Sequence, residues 1–204
     1  MELTELQHDA LIELLNIGFG RAGASLSQLT GHRVLLEVPQ VTVRQIDEVG
    51  TALKEVIDTD VASVHQIFSG PVSGDALLML DQAGAAILKE LLTNEPALPF
   101  AIDASAREVI TEVGNILLNA CLGTFGNILN VQVSFSVPRL SLETVGAILE
   151  SLRVNHEGVR YALLIHAGFK LRDTEIRGYM VIVLSVASLD RLIREVEAWE
   201  RGNR

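Results

Sequence analysis

Hydrophobic and polar positions recur with two different periods along the chain, and these periods predict its helices and strands. A helical period of about 3.6 residues runs through residues 4–30, 82–93, 104–129 and 189–200. Apolar and β-branched runs predict strands at residues 34–43, 61–69, 75–80, 131–140, 160–171 and 177–185. The variable stretches after residues 43 and 140 are given no element. The pattern therefore predicts a mixed α/β fold.

The same order of elements occurs twice, as a helix, a strand, two more strands and a closing helix. A constant offset of 99 residues relates Asp9, Glu13, Asn16 and Pro39 in the first copy to Glu108, Glu112, Asn115 and Pro138 in the second. Residues 93–99 carry the clearest linker composition. We therefore predict one domain over residues 1–204, made of two related halves at 1–99 and 100–204.

Each opening helix carries a polar stripe. Because a helix turns by about 100° per residue, one narrow stripe on the first helix contains Asp9, Glu13, Asn16 and Gly20. Apolar residues fill the opposite face, so both stripes are predicted to face solvent. These apolar residues are Leu11, Leu14, Leu15, Gly18, Ala22, Leu26 and Leu29, and in the second half Ile110, Val113, Leu117, Cys121, Phe125 and Ile128.

The paired Glu and Asn suggest a chemistry that is completed by another protein. One such pair is a weak signal, but asparagine is a poor helix former and occupies the same mid-helix position twice. Its carboxamide can orient a water molecule without titrating, and the glutamate can pair with a partner's lysine. No Ser-His-Asp or Cys-His arrangement accompanies the pair, which makes self-contained covalent catalysis improbable. Water attack on a phosphoryl group fits better, with the electrophilic parts supplied from elsewhere.

The composition of the chain limits the kinds of partner that it is expected to bind. The formal charge of -10 disfavours nucleic acid and anionic lipid. The single cysteine, Cys121, fits a reducing cytosol, and the polar, acidic start lacks the pattern of a signal peptide. The apolar runs are too short to span a bilayer, which needs about 20 residues. We expect a cytoplasmic protein that neither inserts into membranes nor binds nucleic acid.

Two other site types are disfavoured. Residues 18–23 spell G-x-G-x-x-G, but they continue a helical pattern and do not follow a strand, so a dinucleotide site is not expected. The five histidines are scattered without ligand spacing, so no metal bound by this chain is expected. Gly18 fits close helix packing and Gly20 fits close approach of a partner.

The duplicated motif resembles the CheC/CheX/FliY phosphatase family, and in particular its branch with two sites. The family pattern is Asp or Ser, three residues, Glu, two residues, Asn, about 22 residues and Pro. Asp9, Glu13, Asn16 and Pro39 match it fully, and Asn16-Ile-Gly-Phe-Gly20 is similar to the family's continuation. Glu112, Asn115 and Pro138 match it in the second half, so the resemblance covers nearly the whole chain.

The resemblance implies a fold and a function. The fold is a pseudo-twofold α/β arrangement in which both halves share an antiparallel sheet flanked by helices. The function is hydrolysis of the aspartyl-phosphate of the response regulator CheY. Asn16 and Asn115 would orient the attacking water, and Glu13 and Glu112 would pair with the receiver's lysine. The receiver would supply Mg2+, no cofactor would be bound by this chain, and CheD is a further possible partner.

Departures from the family pattern leave alternatives open. Glu108 stands where the family usually carries Asp or Ser, and Phe19 and Arg21 replace the commoner Ala and Asn. A bulky ring at position 19 is expected to restrict or tune docking beside Asn16. The chain could instead be a non-catalytic module that binds phosphorylated CheY or CheD. A flagellar-switch subunit is a third alternative, which would need additional assembly segments.

The remaining motif residues are assigned to partner binding. With the catalytic set of Glu13, Asn16, Glu112 and Asn115, the sequence assigns to partner binding Asp9, Gly20, Pro39, Glu108 and Pro138. The two prolines have a second interpretation as structural kinks, because proline in a strand is tolerated at an edge, a bulge or a bend.

Overall fold

The computed structural model describes residues 3–54, 60–93, 102–154, 160–171 and 174–203. Its helices are α1 (Glu5–Thr30), α2 (Ile46–Lys54), α3 (Gln82–Thr93), α4 (Ala104–Ile128), α5 (Val145–Val154) and α6 (Val186–Asn203). Its strands are β1 (Val34–Gln45), β2 (Val61–Ser69), β3 (Gly74–Asp81), β4 (Ser134–Phe135), β5 (Arg139–Glu143), β6 (Arg160–Leu171) and β7 (Thr174–Ser185). The mixed α/β prediction is confirmed. The linker, apart from Thr93, lies outside the described residues.

The seven strands form one antiparallel sheet in the order β1-β6-β7-β3-β2-β4, with β5 also paired to β2. The hairpin β2-β3 comes from the first half of the chain and β6-β7 from the second. Strand β1 adds to the hairpin of the second half, and β4 and β5 add to the hairpin of the first. The shared antiparallel sheet is therefore confirmed, and the exchange of opening strands is consistent with a duplicated unit.

Helices cover both faces of this sheet. Alternate residues of β3 point to opposite sides, so Ala76 and Leu78 join the buried cluster under α1, α3, α4 and α6, whereas Leu77 and Met79 join the cluster under α2 and α5. Because both faces are buried, the strand reads as a continuous apolar run instead of an alternating one. The molecule is a three-layer α/β/α arrangement.

Helices α2 and α5 were missed by the sequence prediction. Both fall in the stretches described as variable, although each carries a short helical pattern of apolar residues. These residues are Ile46, Val49 and Leu53 in α2, and Val145, Ile148, Leu149 and Leu152 in α5, and all are buried. The pattern spans only two to three turns, too short to stand out from the neighbouring strands.

Both motif prolines lie where an edge strand is interrupted. The pairing of β1 with β6 shifts register between Glu37 and Gln40, around Pro39. Pro138 lies in the gap between β4 and β5, where Ser136 Oγ accepts a hydrogen bond from the N–H of Ile67 at 2.9 Å. Proline has no N–H to give to a ladder, so these positions suit it. The structural interpretation of the prolines is supported, and their docking role stays a prediction.

Glycines allow α4 to pack closely on its neighbours. A Cβ at Gly18 of α1 would lie 2.9 Å from the Cα of Cys121, and one at Gly114 would lie 2.6 Å from the Cβ of Val64 on β2. Helix α4 is also the one helix in the described chain that is long and apolar enough to cross a bilayer by length and composition. Half of that apolar window is buried in the fold, as expected of a core helix.

A buried lysine ties the end of the first half to the start of α4. Lys89 Nζ lies 3.1 Å from Asp103 Oδ2, and the other carboxylate oxygen of Asp103 accepts the N–H of Ala106 at 2.8 Å to cap the helix. The pKa of Asp103 lies below its ordinary value of 3.8, first because of the Ala106 hydrogen bond and then because of Lys89. The folded state therefore favours the ionised carboxylate at this cap.

We predict that Gly114→Ala destabilises the protein, because Val64 is a stiff β-branched residue on a central strand and cannot yield easily. The midpoint of urea unfolding should fall by the equivalent of about 1–3 kcal/mol. Gly123→Ala on the same helix is the matched control, since its Cβ would meet nothing within 4 Å. That control should gain about 0.5–1 kcal/mol from helix propensity. Equal effects of the two substitutions would contradict the packing argument.

We also predict that Asp103→Asn lowers stability near neutral pH, because it keeps a capping oxygen but loses the charge. A carboxyl group with a depressed pKa contributes stability above its unfolded pKa of about 3.9 and loses it as pH falls through the folded pKa. The difference in unfolding midpoint between wild type and Asp103→Asn should therefore shrink below about pH 3.9. A difference independent of pH would contradict the assignment.

Candidate functional site

The first stripe is exposed along α1. Thr4 starts this helix with a capping box, in which its Oγ1 accepts the N–H of Gln7 and its own N–H donates to Gln7 Oε1. The capping box fixes where α1 begins. Every member of the stripe is exposed, namely Asp9, Glu13, Asn16 and Gly20.

The apolar face of α1 is buried as predicted, with one exception. Leu29, near the helix end, is 58% exposed, so the prediction that it packs in the core is wrong. Leu29 and Leu92 instead line a groove of about 310 Å³ that also includes Glu108 and Glu112 of the second stripe.

The second stripe is similar but less open. Glu108 and Glu112 are exposed on α4, whereas Asn115 is half-buried. The two helices that carry the stripes pack directly against each other, with Gly18 of α1 against Cys121 of α4. Burial raises the pKa of the Cys121 thiol, so this cysteine belongs to the core and not to a reactive site.

The glutamates of the two stripes have no ion-pair partner within the described structure. Glu13, Glu108 and Glu112 form no ion pair with any residue in the described part of the chain. Asp9 has a neighbouring imidazole, with His8 Nδ1 at 3.9 Å from its Oδ1. An approaching cationic side chain would therefore meet carboxylates that need not first give up a partner.

The two asparagines differ in their surroundings. Asn119 Nδ2 donates a hydrogen bond of 2.6 Å to Asn115 Oδ1. Asn16 makes no such bond within the described residues, and Gly20 stands at the position 99 residues before Asn119. The sequence analysis missed Asn119. The alignment of the two halves contained the signal. One turn beyond the catalytic candidate, the second half has the carboxamide of Asn119 where the first half has Gly20.

The expectation for Phe19 is wrong. Its side chain is 1% exposed and packs in the core, so the ring does not restrict docking beside Asn16. Position 19 lies on the buried face of α1, where a bulky apolar side chain packs well. Arg21 is exposed and its Nη1 donates to Thr124 Oγ1 at 3.3 Å, which links α1 to α4.

The partner-binding candidates are only partly brought together. Asp9 shares a cleft of about 800 Å³ with residues 41–44 of β1, which begin two positions after Pro39. Pro138 lies just before β5, whose Leu140 packs against the core beneath α4. Pro39 therefore lies within a strand that contacts α1, and Pro138 directly precedes a strand that contacts α4.

We searched the described parts of the chain for side chains that could bind a metal ion. No group of three or more His, Cys, Asp or Glu side chains lies close enough together there to hold an ion. His65 Nε2 lies 2.9 Å from the buried Asp75 Oδ1, and this pair joins β2 to β3.

Fold and surface together define a class: a three-layer α/β domain that displays a polar Glu–Asn stripe on each of two packed helices. The chain matches no model of a known protein family. It is 25% identical over 199 residues to the CheY-P phosphatase CheC of Bacillus subtilis, covering 93% of both chains. It is similar in fold to Thermotoga maritima FliY, with a TM-score of 0.77, 16% identity and 98% and 100% of the two chains covered.

A third similarity is to a solved complex. The structure of the CheX-CheY-BeF3-Mg2+ complex from Borrelia burgdorferi matches with a TM-score of 0.54 and 18% identity, covering 85% of this chain and 97% of the matched chain. These similarities support the resemblance to the CheC/CheX/FliY family that the duplicated motif indicates.

Proposed function

We propose that this protein is a phosphatase that hydrolyses the aspartyl-phosphate of a CheY-type response regulator at two sites. The observation that carries the proposal is the pair of stripes, each with an exposed glutamate one turn before an asparagine, and neither glutamate forms an ion pair within the described residues. The similarity to the CheY-P phosphatase CheC over 93% of the chain supports the same reaction.

The chemistry divides between two proteins. The water oxygen attacks phosphorus and the bond from phosphorus to the aspartyl oxygen breaks. The receiver's aspartate is restored as a carboxylate, and inorganic phosphate leaves with the protons of the water. The receiver supplies the phosphorylated aspartate, its lysine and Mg2+, as the composition of the CheX-CheY-BeF3-Mg2+ complex suggests. Phosphoryl transfer depends mainly on positioning and charge neutralisation, so one carboxamide is a sufficient addition.

Named side chains take separate roles in this proposal. Asn16 and Asn115 orient the water through their carboxamides, which offer an acceptor and two donors and never titrate. Glu13 and Glu112 pair with the receiver's lysine. Asp9 and Glu108 extend the negative stripe, Gly20 allows close approach, and the strands interrupted at Pro39 and Pro138 border the docking surface.

The same proposal covers location and partners. The substrate is a CheY-type receiver in the cytoplasm, and neither nucleic acid nor membrane insertion is involved. CheD remains a predicted additional partner. The alternative of a binding module without turnover loses one of its reasons, since the ring of Phe19 lies in the core and cannot impede docking at Asn16.

We predict that Asn16→Ala combined with Asn115→Ala abolishes the acceleration of phosphate release from a phosphorylated receiver in Mg2+. Each asparagine should contribute on the order of 10²-fold at its own site, because it positions the nucleophile. Each single variant should keep partial activity from the intact site. Asn127→Ala, exposed elsewhere on α4, is the control. A double variant with the wild-type rate would falsify the proposal.

We further predict that Glu13→Gln combined with Glu112→Gln raises KM for the phosphorylated receiver, because the lysine loses its charged partner. The increase should be about fivefold at low salt, the range of a solvent-exposed ion pair, and should diminish as salt screens the charges. Glu48→Gln on α2, on the other side of the sheet, is the control and should leave KM unchanged. The same increase in the Glu48 variant would point to net charge and against a lysine contact.

A further inference from the structure

Asn115 is held by a neighbour on its own helix. The Nδ2 of Asn119, one turn further along α4, donates to Asn115 Oδ1 over 2.6 Å. Both side chains are half-buried, so water competes less for this bond than on an open surface. The carboxamide of Asn115 is consequently fixed before any partner arrives.

The first site lacks this arrangement. Gly20 occupies the position equivalent to Asn119, and a Cβ built there would meet nothing within 4 Å. Asn16 is exposed and forms no hydrogen bond to a side chain in the described part of the structure. Its carboxamide therefore remains free to rotate among its rotamers.

Helix stability does not explain Asn119. Its Oδ1 is buried and has no hydrogen-bond partner among the described residues, which is an unfavourable state for a polar atom. Asparagine is also a poorer helix former than alanine or leucine. The one side-chain hydrogen bond that Asn119 makes there is the bond to Asn115, so this bond is the observable reason for the residue.

We propose that Asn119 is a positioning residue that preorganises the carboxamide of Asn115, so that the two sites are unequal by construction. This inference rests on the proposed function. With one hydrogen bond accepted from Asn119, Asn115 Oδ1 keeps a second lone pair and its Nδ2 keeps both protons for water and phosphate. Fixing the amide removes the rotamer freedom that Asn16 must lose during each reaction.

The test isolates the second site in the Asn16→Ala background. Asn119→Leu is nearly isosteric but cannot hydrogen-bond, and Asn119→Gly copies the first site. Both should lower kcat for receiver dephosphorylation about tenfold, as expected when a held catalytic side chain regains its rotamers. KM should stay within about twofold, because no docking contact is removed. The melting temperature of the Leu variant should not fall, which separates positioning from structural damage.

The reciprocal test measures whether an added amide increases kcat at the first site. In the Asn115→Ala background, Gly20→Asn should raise kcat by a similar factor, because the space at Gly20 is open within the protein and the new amide lies one turn from Asn16. KM should rise, because the added side chain occupies space that Gly20 leaves open for a partner, so kcat is the readout. Ala24→Asn, one turn further and out of reach of Asn16, is the matched control and should leave kcat unchanged.

The outcomes separate the inference from the proposed function. Full activity in the variant lacking both Asn16 and Asn115 rejects the function itself. If each single-site variant is active but Asn119→Leu leaves kcat unchanged or raises it, the positioning role is overturned while the function stands. An inactive second site in the Asn16→Ala background also overturns it, because a preorganised site must turn over.

Discussion

Close packing of α4 between β2 and α1 is the contact on which the rest of the structure depends. Gly114 lets the helix reach Val64 on the sheet, and Gly18 lets α1 reach Cys121. Because these faces are buried in the two packing contacts, the opposite face of each helix lies at the surface. The Glu–Asn stripes are exposed because the opposite sides of their helices are locked.

The shared sheet joins the two halves of the chain in the same way that the close packing joins the two helices. Each hairpin is extended by the opening strand of the other half, so neither half has a complete sheet of its own. Lys89 and Asp103 add a buried link between α3 and the start of α4. The two surface sites therefore sit on one connected scaffold, which suits chemistry that depends on holding a carboxamide still.

The proposed division of labour follows from what the site lacks. It offers carboxylates without ion pairs in the described chain and two carboxamides, but no Ser-His-Asp or Cys-His arrangement and, among the described residues, no metal ligand set. A negatively charged surface attracts a receiver's lysine and repels nucleic acid, in agreement with the net charge of -10. The difference between Asn16 and Asn115 shows how two copies of one motif can diverge through a single neighbour.

Local patterns in the sequence were sufficient for the long helices, most strands and the spacing of both stripes, because helical and strand periods are written in consecutive residues. They were not sufficient for α2 and α5, whose patterns cover too few turns, nor for Phe19 and Leu29. One side of α1 is apolar throughout, but which of its residues are buried depends on the elements that pack against it. Burial is set by distant elements, so only the tertiary structure decided that Phe19 lies in the core and that Leu29 lies at the surface.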